Sequence, residues 1–212
     1  MNDIIKTIGY NQHDMINDII KLHVPSGRID ADVTFSKGVF YKNGKVKEPR
    51  YKYDINPVVP GVIKANAKDL PLDDNSLSTI MFDPPFLATK GKSLKIDNES
   101  NKINKRFTVY PTEKELHQFY IDALREFYRI LKSGGILIFK CQDKVSSGKQ
   151  YFSHNFIINE AERIGYYTRD LFILLAKNRI VANWQLKNQK NARKYHSYFI
   201  VFEKSSRRAK YV

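Results

Sequence analysis

Asp83, Pro84, Pro85 and Phe86 follow directly on the apolar run Thr79, Ile80, Met81, Phe82. Together they place a carboxylate, a conformationally fixed carbonyl and an aromatic face at the mouth of a strand. Proline locks its own φ and keeps the residue before it out of the helical region, so Asp83 and Pro84 are both held extended and Phe86 is thrown outward. The segment therefore offers two hydrogen-bond acceptors beside a stacking surface. A Pro-Pro pair after a strand also serves as a plain rigid turn, so the surroundings decide what the tetrapeptide means.

Those surroundings read as alternating strands and helices. Residues 14–22 carry Met15, Ile16, Ile19 and Ile20 at helical spacing, and Pro25, Ser26 and Gly27 end that helix. Ala31, Asp32, Val33, Thr34 and Phe35 form a first core strand, turned by Ser36, Lys37 and Gly38; residues 51–54 and 63–65 are further strand candidates. Thr112 with Glu115 three residues on is a capping box, and Leu116, Phe119, Tyr120, Ala123, Leu124, Phe127, Tyr128 and Leu131 line one face of the helix it opens. Ser133, Gly134 and Gly135 stop that helix before a buried strand at 136–139, and Ser153 caps a last helix that ends at Gly165. Two more strands, at 171–175 and 198–202, are joined by a long loop without a helix, which suits an antiparallel hairpin at one edge. The expected fold is a doubly wound α/β sheet, mostly parallel, as one domain over 1–212. Its parts are an N-terminal helical segment (1–27), a lid or substrate loop (87–111) and a basic loop (177–195). In such sheets ligands bind outside the carboxyl ends of the strands, where the motifs here would land.

The tetrapeptide in this setting resembles the D-P-P-[YFW] signature of S-adenosylmethionine-dependent methyltransferases that modify exocyclic amino groups of bases. From about 32 to 202 the chain is similar to a compact DNA amino-methyltransferase of bacterial or phage type, which implies a Rossmann-like methyltransferase sheet. The resemblance gives Asp83, Pro84, Pro85 and Phe86 the catalytic role. An exocyclic amine is a poor nucleophile because its lone pair is delocalised into the ring; acceptors on its two protons, Asp83 Oδ and the Pro84 carbonyl, would free that lone pair. A fixed carboxylate would also stabilise the positive charge that develops on nitrogen. Phe86 would stack on the base, swung out of its duplex. The segment Asp32, Val33, Thr34, Phe35, Ser36, Lys37, Gly38 takes the place of the family's cofactor loop, with Gly38 alone of its usual two or three glycines. Asp54 matches the acid that holds the ribose hydroxyls, and Asn66 with Ala67 falls where the cofactor adenine is contacted. The implied cofactor is S-adenosylmethionine. The implied reaction is methylation of adenine N6 in DNA; cytosine N4, RNA, or a catalytically silent nucleic-acid-binding module or subunit are the alternatives.

Composition bounds these readings. The 212 residues hold 36 Lys+Arg against 22 Asp+Glu, a formal net charge of +14, which points to a polyanionic partner. Lys177, Arg179, Lys187, Lys190, Arg193 and Lys194 share one stretch free of acids, with Trp184 inside it as a stacking candidate. Lys187, Lys190, Arg193 and Lys194 are the expected phosphate contacts, DNA more than RNA. A target-recognition domain does not fit within the chain, so weak sequence preference is expected, with a specificity partner or a homodimer to supply more. No run is long enough for a membrane span. The single Cys141 permits no internal disulfide, and the N-terminus lacks a basic-then-apolar signal pattern, which favours a reducing cytoplasmic setting. The histidines show no metal-ligand spacing with carboxylates, and no metal is expected.

Overall fold

The computed structural model describes residues 4–86, 88, 110–146, 148–177, 189–208 and 210. Among the described residues eight strands form one sheet in the order β1-β9-β10-β6-β5-β2-β3-β4. They are β1 (Ile8–Gly9), β2 (Ala31–Asp32), β3 (Tyr51–Asp54), β4 (Ile63–Lys64), β5 (Leu77–Phe82), β6 (Leu131–Cys141), β9 (Tyr166–Leu175) and β10 (His196–Lys204). The intervening β7 (Lys144–Ser146) and β8 (Lys149–Tyr151) make a separate hairpin that the sequence reading did not foresee. Strands β6, β5, β2, β3 and β4 run parallel, while β10 is antiparallel to both β6 and β9. The expected mostly parallel, doubly wound α/β sheet with its C-terminal hairpin is therefore present. The short β1 adds parallel to β9 on the hairpin's outer side.

Both faces of the sheet are covered, which is why its central strands read as continuous apolar runs. Successive side chains point to opposite faces. Ile80, Phe82, Leu137, Phe139, Ile200 and Phe202 enter one core, whereas Met81, Ile136, Ile138, Phe199 and Val201 enter the other. Helices α2 (Glu113–Ile130) and α3 (Ser153–Ile164) close the first, through Phe119, Leu124, Phe127, Ile157 and Ala161; α1 (Gln12–His23) closes the second with Met15, Ile16, Ile19 and Ile20. Phe82 anchors the first core, its ring centroid 4.9 Å from both Phe127 and Phe139.

Three local expectations are corrected. Strand β2 is two residues long, not five, because the Asp32 carboxylate accepts the Thr34 N–H at 2.9 Å and turns the chain. Helix α2 ends at Ile130, before the Ser133, Gly134, Gly135 stop: Leu131 is already extended, and Lys204 Nζ donates to the Tyr128 and Leu131 carbonyls at 2.6 and 2.7 Å. A lysine on the last carbonyls does the work expected of glycine. Ser153 is the first residue of α3, whose cap position is Phe152 with no side-chain bond; Asp143 Oδ1 instead accepts the His154 N–H at 3.3 Å. Among the described residues no helix is long and apolar enough to cross a membrane.

Candidate active site

Strand order reverses at β2: the chain goes on to β3 and β4 on one side, then returns to β5 and β6 on the other. Carboxyl ends that diverge in this way leave a crevice. It is lined by Val33, Thr34, Ser36, Asp54, Ile55, Asn66, Ala67, Asp83, Pro85, Tyr110 and Phe119, around about 540 Å³ of space counting the solvent at its mouth. Tertiary structure thus gathers Thr34, Ser36, Asp54, Asn66 and Ala67 with Asp83 and Pro85, seven residues singled out from four separate stretches of sequence. Val33 lies within the expected cofactor loop and Tyr110 at the end of the expected lid segment, whereas the sequence reading gave Ile55 and Phe119 no site role. Tyr110 stacks on Phe119, with centroids 5.0 Å apart, and burial pushes its phenol up from the ordinary value. Phe119 carried a helix-face signal read as core, and it serves core and cleft together.

Three elements hold residues 83–86 by their backbone. Thr34 Oγ1 accepts the Asp83 N–H at 2.7 Å, Tyr120 of α2 donates its hydroxyl to the Pro85 carbonyl at 2.5 Å, and Lys144 Nζ donates to the Phe86 carbonyl. Lys144 is balanced by Glu113, 2.7 Å away, and both side chains are nearly buried. Hydrogen bonds to backbone fix the path of the chain and leave the Asp83 side chain to face outward. Burial raises the Asp83 pKa, and Lys140, with Nζ 3.3 Å from Oδ2, opposes that rise. Lys140 was missed, because what marks it is strand register and not the residues around it. Phe82 pairs with Phe139 across β5 and β6, so the residues after each, Asp83 and Lys140, emerge side by side.

The remaining predicted cofactor residues pack behind the wall. Asp32 is 1% exposed; Oδ1 accepts from Thr34 and Oδ2 accepts the Tyr41 hydroxyl at 2.7 Å. Its pKa is pushed up to about 7, chiefly by burial. Phe35 is buried and stacked on Tyr41 at 5.5 Å. Gly38 sits at φ 63° over that ring: an added Cβ would lie 2.6 Å from Phe35 Cζ. The loop makes its turn with Ser36 also at positive φ, 51°, while Asp54 Oδ2 accepts the Ser36 N–H at 2.8 Å and Oδ1 that of Asn56 at 2.8 Å. Asn66 Oδ1 accepts the Lys68 N–H at 3.1 Å. Pro84 is buried, and Phe86 is half-buried with its ring 5.9 Å from Lys140 Nζ.

Lys190, Arg193 and Lys194 lie on the segment entering β10. That strand is antiparallel to β6, with Tyr198 opposite Cys141, so these residues arrive at the edge of the sheet that carries the cleft. Lys187, Trp184 and nearly all of the lid segment 87–111 lie outside the described residues. No cluster of metal-ligating side chains is present among the described residues.

No family model and no curated protein matches the chain. Solved structures do. One is a Thermus thermophilus protein described as a DNA modification methylase and solved with S-adenosyl-L-methionine. It is 16% identical over 69% of this chain and 56% of its own, with a TM-score of 0.45. The chain thus spans little more than half the length of that structure. The cytosine-N4-specific PvuII DNA methyltransferase matches at 13% identity, over 76% of this chain and 53% of its own, with a TM-score of 0.49. The cyclase SpnF matches at 12% identity, over 91% of this chain and 81% of its own, with a TM-score of 0.51. At that identity the likeness to SpnF is one of fold.

Proposed function

We propose that the cleft binds S-adenosylmethionine and that Asp83 directs its methyl group to the exocyclic amino nitrogen of a nucleobase, adenine N6 in DNA before cytosine N4 or an RNA base. One observation carries this reading: Asp54 and Asn66 share a single cleft with Asp83 and Pro85 at the point where strand order reverses. The donor set fits the cofactor. Asp54 suits a ribose diol, Asn66 an adenine edge, and Asp83 with Asp54 gives a negative lining in a protein of net charge +14, which favours a cationic sulfonium. The cofactor supplies an electrophilic methyl carbon. The chain's own residues do the rest.

Asp83 Oδ accepts a hydrogen bond from the target amino group, and the Pro84 carbonyl is the second acceptor. Phe86 offers a face for the ring, and the carboxylate stabilises the charge that grows on nitrogen without reorganising water. The hydrogen bond accepted by Thr34 and those donated by Tyr120 and Lys144 keep this geometry fixed before substrate arrives. Lys187, Lys190, Arg193, Lys194 and Trp184 contact the nucleic acid, releasing counterions, so affinity falls steeply with salt. The chain works as one domain in the cytoplasm, with a specificity partner or a homodimer completing target choice.

A catalytically silent nucleic-acid-binding module has one observation in its favour: both Asp54 oxygens already accept backbone N–H groups. Calorimetry with S-adenosylmethionine and its demethylated product separates the two readings, because binding that is lost in Asp54→Ala belongs to an enzyme. Transfer of tritiated methyl to single- and double-stranded DNA and RNA, compared between wild type and Asp83→Ala, then tests the catalytic assignment. Undiminished transfer in the variant overturns it.

A further inference from the structure

Asp83 is not alone at the end of its strand. Lys140 leaves β6 beside it, with Nζ 3.3 Å from Asp83 Oδ2 and the side chain 13% exposed. Three rings fix the ammonium: Phe40 and Phe199 are buried on one side, with centroids 5.0 and 5.6 Å from Nζ, and Phe86 lies at 5.9 Å. Such contacts hold a cation over aromatic faces. An ammonium has three N–H donors, and Asp83 Oδ2 takes one. The two strand ends therefore present an acceptor and a donor about one hydrogen bond apart, next to the ring of Phe86. A side-chain amide of Asn or Gln offers the same pairing when it reads adenine. Here it is assembled from two charged side chains.

We propose that Lys140 is a specificity-determining residue that donates a hydrogen bond to the ring nitrogen flanking the target amino group, while Asp83 accepts from the amino group itself. This rests on the methyl-transfer reading and narrows its substrate class. On the Watson–Crick edge, adenine and cytosine each place an amino donor beside an unprotonated ring nitrogen. Guanine places its amino group beside a ring N–H, which would face the Lys140 donors. Thymine and uracil have no amino group. A flipped base is commonly read on that edge by hydrogen bonds while its faces are stacked, and the Asp83, Lys140, Phe86 cluster holds the parts for both.

The test pairs deletion of the side-chain donor with deletion of the base acceptor. Methyl transfer is measured with oligonucleotides carrying adenine, 1-deazaadenine or 7-deazaadenine at the target, using wild type, Lys140→Met and Lys140→Arg. We expect 1-deazaadenine, which lacks the Watson–Crick ring nitrogen beside the amino group, to slow the wild type about tenfold to a hundredfold, the range of a hydrogen bond to a charged group, and 7-deazaadenine to leave it nearly unchanged. Lys140→Met should lose a similar factor on adenine and little more on 1-deazaadenine, while Lys140→Arg, which keeps a cationic donor, remains sensitive to it. A wild type indifferent to 1-deazaadenine, or base and variant penalties that multiply on it, overturns the proposal, and the first result needs no folded variant. A wild type that transfers to no oligonucleotide at all overturns the methyl-transfer reading itself, an outcome distinct from transfer that ignores the ring nitrogen.

Discussion

Asp32 and Asp83 stand at the carboxyl ends of adjacent parallel strands, and the contrast between them shows what turns a buried acid into a site. Asp83 follows an apolar run and Asp32 the alternating Ile29, Asp30, Ala31; Asp32 pairs with Met81, two residues short of Asp83. Asp32 is sealed, its two oxygens held by Thr34 and Tyr41 from its own loop. Asp83 has a side chain 26% exposed that lines the cleft, and its charge partner Lys140 comes from the neighbouring strand. Thr34 joins the two: its hydroxyl lies 3.5 Å from Asp32 Oδ1 and accepts the Asp83 N–H. The inner carboxylate sets the loop, and the loop sets the backbone from which the outer one projects.

The sharpest way to break this contrast is to neutralise each acid. Asp83→Asn should cut methyl transfer about a thousandfold, as removal of a preorganised electrostatic group does, and leave cofactor binding within a few-fold in calorimetry. Asp32→Asn should act on stability. The folded-state pKa of Asp32, about 7, lies above the ordinary 3.8, so the native protein keeps a proton that the unfolded chain has released between those values. Stability from this group is therefore lost as pH rises from about 4 to 7, by up to about 4 kcal/mol. Denaturant melts across that window should show the difference between wild type and Asp32→Asn shrinking or reversing as pH rises; a constant difference would refute the assignment.

Smaller effects sharpen the same comparison. Gly38→Ala forces a positive φ on a side chain and drives Cβ into Phe35, so a cost of about 2 kcal/mol and a lower Tm are expected. Tyr120→Phe removes the donor to the Pro85 carbonyl. It should cost about 1 kcal/mol in melts and lower transfer a few-fold at unchanged cofactor affinity.

Much of this arrangement was legible in the order of residues, because its signals are local. Continuous apolar runs placed β5 and β6 and period-3.6 patterns placed α2 and α3, and the Thr112 cap holds as read, with Thr112 Oγ1 accepting the Glu115 N–H at 3.2 Å. The two-proline segment marked its own strand end. Asp54 and Asn66 were singled out by the resemblance to the methyltransferase pattern, and they line the cleft. What stayed hidden depends on partners distant in sequence. Nothing near Asp32 announces that Tyr41 will close over it, nothing near Ile130 announces Lys204, and Lys140 reads as one cation among 36 Lys+Arg until strand register sets it against Asp83.

The sequence by itself determined where the central strands and the helices lie, and where a carboxylate, a fixed carbonyl and a ring leave the sheet, because sterics and apolar periodicity act over a few residues. Only the tertiary structure decided which acids are sealed and which face the cleft. Burial, desolvation and charge pairing are properties of neighbours in space, and strand order, not chain order, chooses those neighbours.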